Sequence, residues 1–213
     1  MRVVMIKGFS KTGKTTTVTG LVAELRRRGY SVGTIKDIHY EGYEADQPNT
    51  DTWKHRKAGA CRVTALGTSD TAIYRDERMS IEALMKYYKE DFLILEGDCG
   101  VKCPTILTGR TTDDLEKRMC PEAVAVSGII GAALTEYQGL PAYDGIAEVK
   151  QLADFVEQKT AKQKEELDVT LTIDGVEIGM VPFVQKTLKN VVVGAVKALD
   201  GYEEGKEIVI RIK

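Results

Sequence analysis

Eight residues near the start of the chain, Gly8-Phe9-Ser10-Lys11-Thr12-Gly13-Lys14-Thr15, have the spacing G-x-x-x-x-G-K-T. Each fixed position answers a demand of polyphosphate chemistry. The glycines let the backbone curl so that successive N–H groups point inward, and a helix starting behind them adds the positive end of its dipole. Lys14 supplies a point charge for the β and γ phosphates, and the Thr15 hydroxyl is suited to ligate Mg2+. With Thr16 the run extends into the first helical turn, so Gly8, Phe9, Ser10, Lys11, Thr12, Gly13, Lys14, Thr15 and Thr16 form the expected nucleotide-binding segment. Such a loop also needs an acidic group at a strand end to hold Mg2+ or its water. Asp91-Phe92-Leu93-Ile94-Leu95-Glu96-Gly97 offers Glu96 for that place, the plainer reading being an ordinary acidic strand terminus.

The base is left open, because no N-K-x-D guanine signature occurs anywhere in the chain. No water-positioning glutamine stands beside the loop either, and weak intrinsic hydrolysis is the expectation, since positioning and charge neutralisation supply most phosphoryl-transfer catalysis.

Thiols form a second constellation. Cys99 and Cys103 directly follow the Glu96 strand, and Cys103-Pro104 and Cys120-Pro121 have the ending of many iron–sulfur ligand runs. Cys99, Cys103 and Cys120 are therefore candidates for an iron–sulfur cluster or zinc, although C-x3-C matches no standard spacing and three ligands leave a site open. The alternative is three ordinary thiols, with Cys61, at the start of an apolar strand, a fourth.

These groups need a scaffold. Residues 2–7 read as a short apolar strand. Residues 14–28 read as a helix, with Val18, Leu21, Val22 and Leu25 on one face and Gly29 behind it. Strands follow at 31–36, 61–66, 70–75 and 92–95, the last apolar enough to be buried on both faces, with further apolar runs at 104–108 and 122–127. Helices are expected at 51–60, 78–89 and 147–160. Strands alternating with helices predict an α/β fold with a mostly parallel sheet flanked by helices, here a P-loop NTPase domain over residues 1–160. The charged segment 161–167 reads as a tether. Beyond it, alternation either side of Asp174-Gly175, a helix from Pro182 to Leu199 and a strand at 207–212 predict a small α+β domain, ββαβ, over 168–213.

Composition narrows the function classes. The 213 residues are 43% hydrophobic and 29% charged, globular proportions rather than those of a disordered chain. Thirty basic residues against thirty-two acidic ones give a formal charge of −2, which argues against a nucleic-acid partner bound by bulk charge. No apolar run has the length of a membrane span, and the loop begins too early to leave room for a signal peptide, so a cytoplasmic protein without a membrane partner is the expectation.

The loop, Gly33-Thr34-Ile35-Lys36-Asp37-Ile38-His39, Asp46-Gln47-Pro48-Asn49-Thr50-Asp51-Thr52-Trp53, Arg56-Lys57-Ala58-Gly59-Ala60 and Leu95-Glu96-Gly97 together resemble the molybdopterin-guanine dinucleotide biosynthesis protein B (MobB) family. The likeness covers roughly residues 1–100. It implies a homodimeric GTP-binding protein with low GTPase activity that assists the guanylyltransferase joining GMP to molybdopterin. On that likeness the 37–51 segment lines the phosphate and switch region, and Asp46 and Asp51 are candidate catalytic groups beside Lys14, for the metal shell or the attacking water. Turn and cap chemistry would equally place aspartate at both positions. Lys36 and His39 would face an anionic pterin phosphate. The chain departs from the family at Asp98-Cys99-Gly100, where an aromatic and a basic residue are usual, and its C-terminal ββαβ unit is additional.

Two other function classes fit the loop. One is an ATP-dependent small-molecule kinase or ligase. The other is an iron–sulfur- or metal-linked NTPase in cofactor maturation, but the second lysine of many metal-delivery ATPases is absent, Phe9 standing in its place.

Overall fold

In the computed structural model, which describes residues 1–160, 169–202 and 208–209, the first unit runs in chain order β1 (Arg2–Gly8), α1 (Lys14–Arg27), β2 (Val32–Lys36), α2 (Asp51–Lys57), β3 (Arg62–Leu66), β4 (Thr71–Arg75), α3 (Ile81–Met85), β5 (Phe92–Glu96), β6 (Thr105–Thr108), α4 (Thr112–Glu116), β7 (Ala123–Ser127), a 3-10 turn (Ile130–Ala133), β8 (Glu136–Tyr137), β9 (Leu140–Pro141) and α5 (Val149–Thr160). Five strands form one sheet in the order β2-β5-β1-β6-β7, and every pairing in it is parallel. This is the expected α/β architecture. All five residues of β5 are buried, as the unbroken apolar run requires of a strand covered on both faces.

Alternation along the strands sorts the core. Val4, Ile6, Phe92, Ile94, Ile106 and Ala125 face Val18, Leu21 and Leu25 of α1 and Leu152, Ala153 and Val156 of α5. Met5, Leu93 and Leu95 point the other way, packing with Ile35, Cys103 and the α3 residues Ile81, Leu84 and Met85. Shifting either strand by one residue would exchange these two sets.

The helix ends follow from local chemistry. At the end of α1, Gly29 (φ 90°) donates to the Arg26 carbonyl and Tyr30 to that of Leu25, the two bonds of a Schellman cap. Gly59 (φ 104°) likewise ends α2 at Lys57, short of the expected Ala60. The helix expected over 78–89 is reduced to α3, because Tyr88 leaves the helical path to lie against Gly33 and to donate to the Thr34 carbonyl at 3.0 Å. The strands expected at 61–66 and 70–75 are β3 and β4, which pair antiparallel as a hairpin apart from the main sheet. The helix α4 and the β8–β9 hairpin carry signals that the sequence reading passed over: a Thr111 N-cap with Asp113 and Asp114 in the first turn, and Gln138-Gly139, both at positive φ.

Contacts divide the chain into two compact units, Met1–Ala161 and Lys162–Lys213. In the second, β10 (Thr172–Ile173) and β11 (Val176–Glu177) pair across Asp174 and Gly175, and α6 (Pro182–Val196) begins with proline in its first turn. The tether expected at 161–167 lies outside the described residues, as does most of the strand expected at 207–212. Among the described residues no helix is long and apolar enough to cross a membrane.

An ionic cluster ties α1 to α5. Glu24 is buried and takes Arg27 and Arg28, while Arg28 reaches on to Asp154 at 2.6 Å and Glu157 at 2.7 Å. Hydrogen bonds from Arg27 and Arg28 lower the Glu24 carboxyl from 4.5 to about 2. A folded-state value below the unfolded one gives stability that is present above 4.5 and lost as pH falls toward 2. Urea midpoints of wild type and Glu24→Gln, measured at about pH 6 and about pH 2.5, should therefore converge in acid. An equal gap at both would mean that the carboxylate contributes nothing through its charge.

Candidate functional site

β1 ends at Gly8 and α1 starts at Lys14, so the loop is bent within five residues, Phe9 to Gly13. Lys11 (φ 59°) and Gly13 (φ 98°) take the left-handed conformation that the bend demands. A Cβ on Gly13 would lie 2.9 Å from the Gly128 Cα, and one on Gly8 would strike Thr108. The Thr12 hydroxyl bonds the Phe9 carbonyl at 2.9 Å and the Thr108 hydroxyl at 2.7 Å. The Ile129 N–H donates to the Thr12 carbonyl at 3.1 Å, and Arg110 Nε to that of Lys11 at 2.9 Å. Strand ends from β6 and β7 thus fix the curl.

What the loop presents is positive. The helix α1 has neither a capping side chain nor an acidic residue in its first turn. Its first intrahelical bond runs from Thr17 N–H to the Gly13 carbonyl, so the amides of Lys14, Thr15 and Thr16 have no helical acceptor. The Lys14 ammonium folds back on the carbonyls of Gly8 (3.0 Å) and Phe9 (2.5 Å). Burial lowers its pKa, the Glu96 carboxylate opposing and Lys36 and Arg118 reinforcing the shift. An anion in the curl would relieve all three conditions. Beside the same turn, a depression of about 420 Å³ is lined by Thr16, Thr19, Gly20, Gly145, Ile146 and Val149.

Glu96 closes β5 between Ile6 of β1 and Lys36 of β2 and is buried. Its Oε1 accepts from the Thr15 hydroxyl at 2.8 Å and pairs with Lys36 Nζ at 3.0 Å. The two residues singled out as metal-shell candidates, one on the loop and one far along the chain, are therefore in direct contact. A hydroxyl and a carboxylate are the hard oxygen donors that Mg2+ takes alongside phosphate, so these residues fit that ion. Lys36 and His39 are turned onto carboxylates of their own chain, His39 Nε2 lying 2.7 Å from Asp37, which also holds Arg78 at 2.7 Å.

Asp46 and Asp51 lie at the start of α2. Asp46 is buried, and its Oδ1 accepts from Thr50 at 3.2 Å and Thr52 at 3.0 Å. Thr50 caps α2, and Asp51 is the first helical residue, exposed and paired with Lys54 at 3.1 Å. Among the described residues neither aspartate bonds to the Gly8–Thr16 segment, while Asp46 Oδ2 is buried without a hydrogen-bond partner.

Several residues at the site went unread in the sequence: Thr108 as the partner of Thr12, Gly128, Arg110, Arg118, and the Lys7–Asp98 pair at 2.9 Å. One signal was available, because the four strands β1, β5, β6 and β7 each end on, or are followed by, a glycine: Gly8, Gly97, Gly109 and Gly128. Ligands of open parallel sheets sit at these carboxyl ends.

The three thiols lie on two apolar clusters. Cys103 is buried with Met5, Leu93 and Leu95, Cys99 packs on the same cluster, and Cys120 packs on a different one with Leu107 and Val126. Among the described residues no group of three or more His, Cys, Asp or Glu side chains is arranged to hold a metal ion. Burial pushes the Cys99 and Cys103 thiols up to about 11, and for Cys103 the neighbouring Cys99 and Cys120 add to the rise. Cys61 is exposed rather than buried in its strand. Thiol-disulfide reagents followed by peptide mapping should therefore label Cys61 first and Cys103 last; simultaneous labelling in the native protein would contradict this burial.

The family model described as Molybdopterin guanine dinucleotide synthesis protein B matches residues 3–129. A Methanocaldococcus jannaschii relative is 32% identical over 100 residues, a match spanning 46% of this chain and only 41% of that protein. The Haemophilus influenzae molybdopterin-guanine dinucleotide biosynthesis adapter protein is 27% identical over 160 residues, 71% of this chain and 85% of that protein. In fold, the crystal structure of Bacillus subtilis MobB superposes with a TM-score of 0.60 at 21% identity, covering 75% of this chain and 98% of that one. A MobB homologue from Bacillus stearothermophilus gives 0.55 at 19% identity, over 74% and 99% of the two chains. With more than half its length matched to the family model and the parallel sheet and phosphate loop in place, the chain belongs to the MobB family.

Proposed function

We propose that this protein is a GTP-binding adaptor of molybdenum cofactor biosynthesis, with weak GTPase activity, that assists the guanylyltransferase joining GMP to molybdopterin. The observation carrying the reading is the Lys14 ammonium, bonded among the described residues to the Gly8 and Phe9 carbonyls alone and set beside three open helix-start amides. In this reading a triphosphate replaces those carbonyls as the acceptor for Lys14, and the amides of Lys14, Thr15 and Thr16 bind its oxygens. Thr15 and Glu96 would hold Mg2+, which when bound neutralises phosphate charge. The depression reached through Thr16 offers room for the nucleoside. Guanine is taken from the role named for the H. influenzae relative, since no base-specific motif is present. Weak hydrolysis is consistent with Asp46 and Asp51 being engaged around the start of α2. The adaptor works in this reading as a cytoplasmic homodimer.

A titration of Mg·GTP and Mg·ATP against wild type and Lys14→Ala tests the proposal. The expected result is a clear GTP preference and a loss of about 100-fold or more in Lys14→Ala, the size of one to two bonds to a charged group. Equal or ATP-preferring binding would replace the guanine reading with an ATP-dependent kinase or ligase. Identical binding by wild type and variant would remove the phosphate loop from the account.

A further inference from the structure

Arg118, in the segment between α4 and β7, is poorly satisfied for an arginine beside an ion-binding loop. Its guanidinium stands over the Phe9 ring, 4.2 Å from the centroid. Its carboxylate partner, Asp98, is 3.9 Å away and already holds Lys7 at 2.9 Å. Its Nε is buried without a hydrogen-bond partner among the described residues. Arg28, by contrast, bonds Glu24, Asp154, Glu157 and the Lys150 carbonyl. A guanidinium carries five donors, and leaving a buried one unmade is costly until an acceptor arrives.

The position indicates which acceptor that is. Lys14 and Arg118 approach the same residue, Lys14 at the Phe9 carbonyl and Arg118 at the Phe9 ring. Lys14 and Arg118 converge on one loop residue; Asp98 is held at 2.9 Å by Lys7 and Glu96 at 3.0 Å by Lys36, so positive charge is left for an anion to neutralise. In loops of this spacing the amides cradle the α and β phosphates, and the lysine reaches β and γ. A further cation that enters over Phe9, at the strand end of the loop and not its helix end, meets the outermost group.

From this juxtaposition we propose that Arg118 binds the terminal phosphate of the nucleotide and so distinguishes triphosphate from diphosphate, an inference that rests on the nucleotide-binding reading above. When Arg118 turns to phosphate, Asp98 keeps Lys7, so no carboxylate is stranded. The guanidinium fork suits phosphate oxygens two at a time, a geometry that lysine lacks.

The test is calorimetric binding of a non-hydrolysable GTP analogue and of GDP, each with Mg2+, and of the matching adenine pair, to wild type, Arg118→Ala and Arg118→Lys. Arg118→Ala should weaken the triphosphate analogue about 10- to 100-fold and leave the diphosphate within about twofold, a span set by a charge-assisted bond. Arg118→Lys should recover part of that loss, and it carries the comparison if Arg118→Ala melts below the assay temperature. Diphosphate binding unchanged from wild type shows that the loop is still folded. Equal loss for both nucleotides would overturn the proposal, making Arg118 a brace for Phe9, and so would unchanged triphosphate affinity. Failure of wild type to bind any of the four would overturn the nucleotide reading and this proposal with it.

Discussion

The first unit is organised around one steric constraint: the carboxyl edge of the sheet has no room for side chains where the phosphate loop crosses it. A Cβ at Gly13 would sit against Gly128, and one at Gly128 would press on the Thr108 Cβ at 2.9 Å. Hydroxyls fill the little space that is left, Thr12 bonding Thr108 and Thr17 lying 3.4 Å from Ser127. The parallel order makes this crowding hold, since β1 lies between β5 and β6 and its loop is pressed by neighbours from both directions. A loop so confined keeps its amides pointed inward before any ligand arrives, which spares binding the cost of ordering them.

Charge is distributed around that loop with a bias. Glu96 is the buried carboxylate at its centre, shared by the Thr15 hydroxyl and Lys36 and felt by Lys14. On the other side Asp98 answers both Lys7 and Arg118. Two carboxylates against four cations is an unbalanced set, and imbalance of this sign suits a polyanion. The cluster of Glu24, Asp154 and Glu157 with Arg27 and Arg28 has the opposite bias, three carboxylates to two cations, and joins helices.

How much was legible in the sequence depended on how local its cause was. The loop, the strand of Glu96, the Schellman end of α1 and the Asp174-Gly175 turn are all written in consecutive residues, and the structure has them where expected. Glu96 meeting Thr15 was inferable because a parallel sheet brings strand ends together at one edge. Asp46 and Asp51 show the limit. Aspartate serves caps and turns as well as metals, and only the arrangement of Thr50 and Thr52 around Asp46 discloses its bonding role. For the thiols, spacing along the chain carries no information about Cys120 packing on a separate apolar cluster from Cys99 and Cys103. Arg118 was invisible since its significance lies in a ring far away in sequence.

The cluster that joins α1 to α5 has a mechanical consequence. The helix α1 is gripped at its start by the sheet edge and at its finish by Glu24, Arg28 and two carboxylates of α5. A rod clamped at both ends transmits load and does not swing. The loop end of α1 and its α5 end are thereby tied to one frame, so neither can shift without the other.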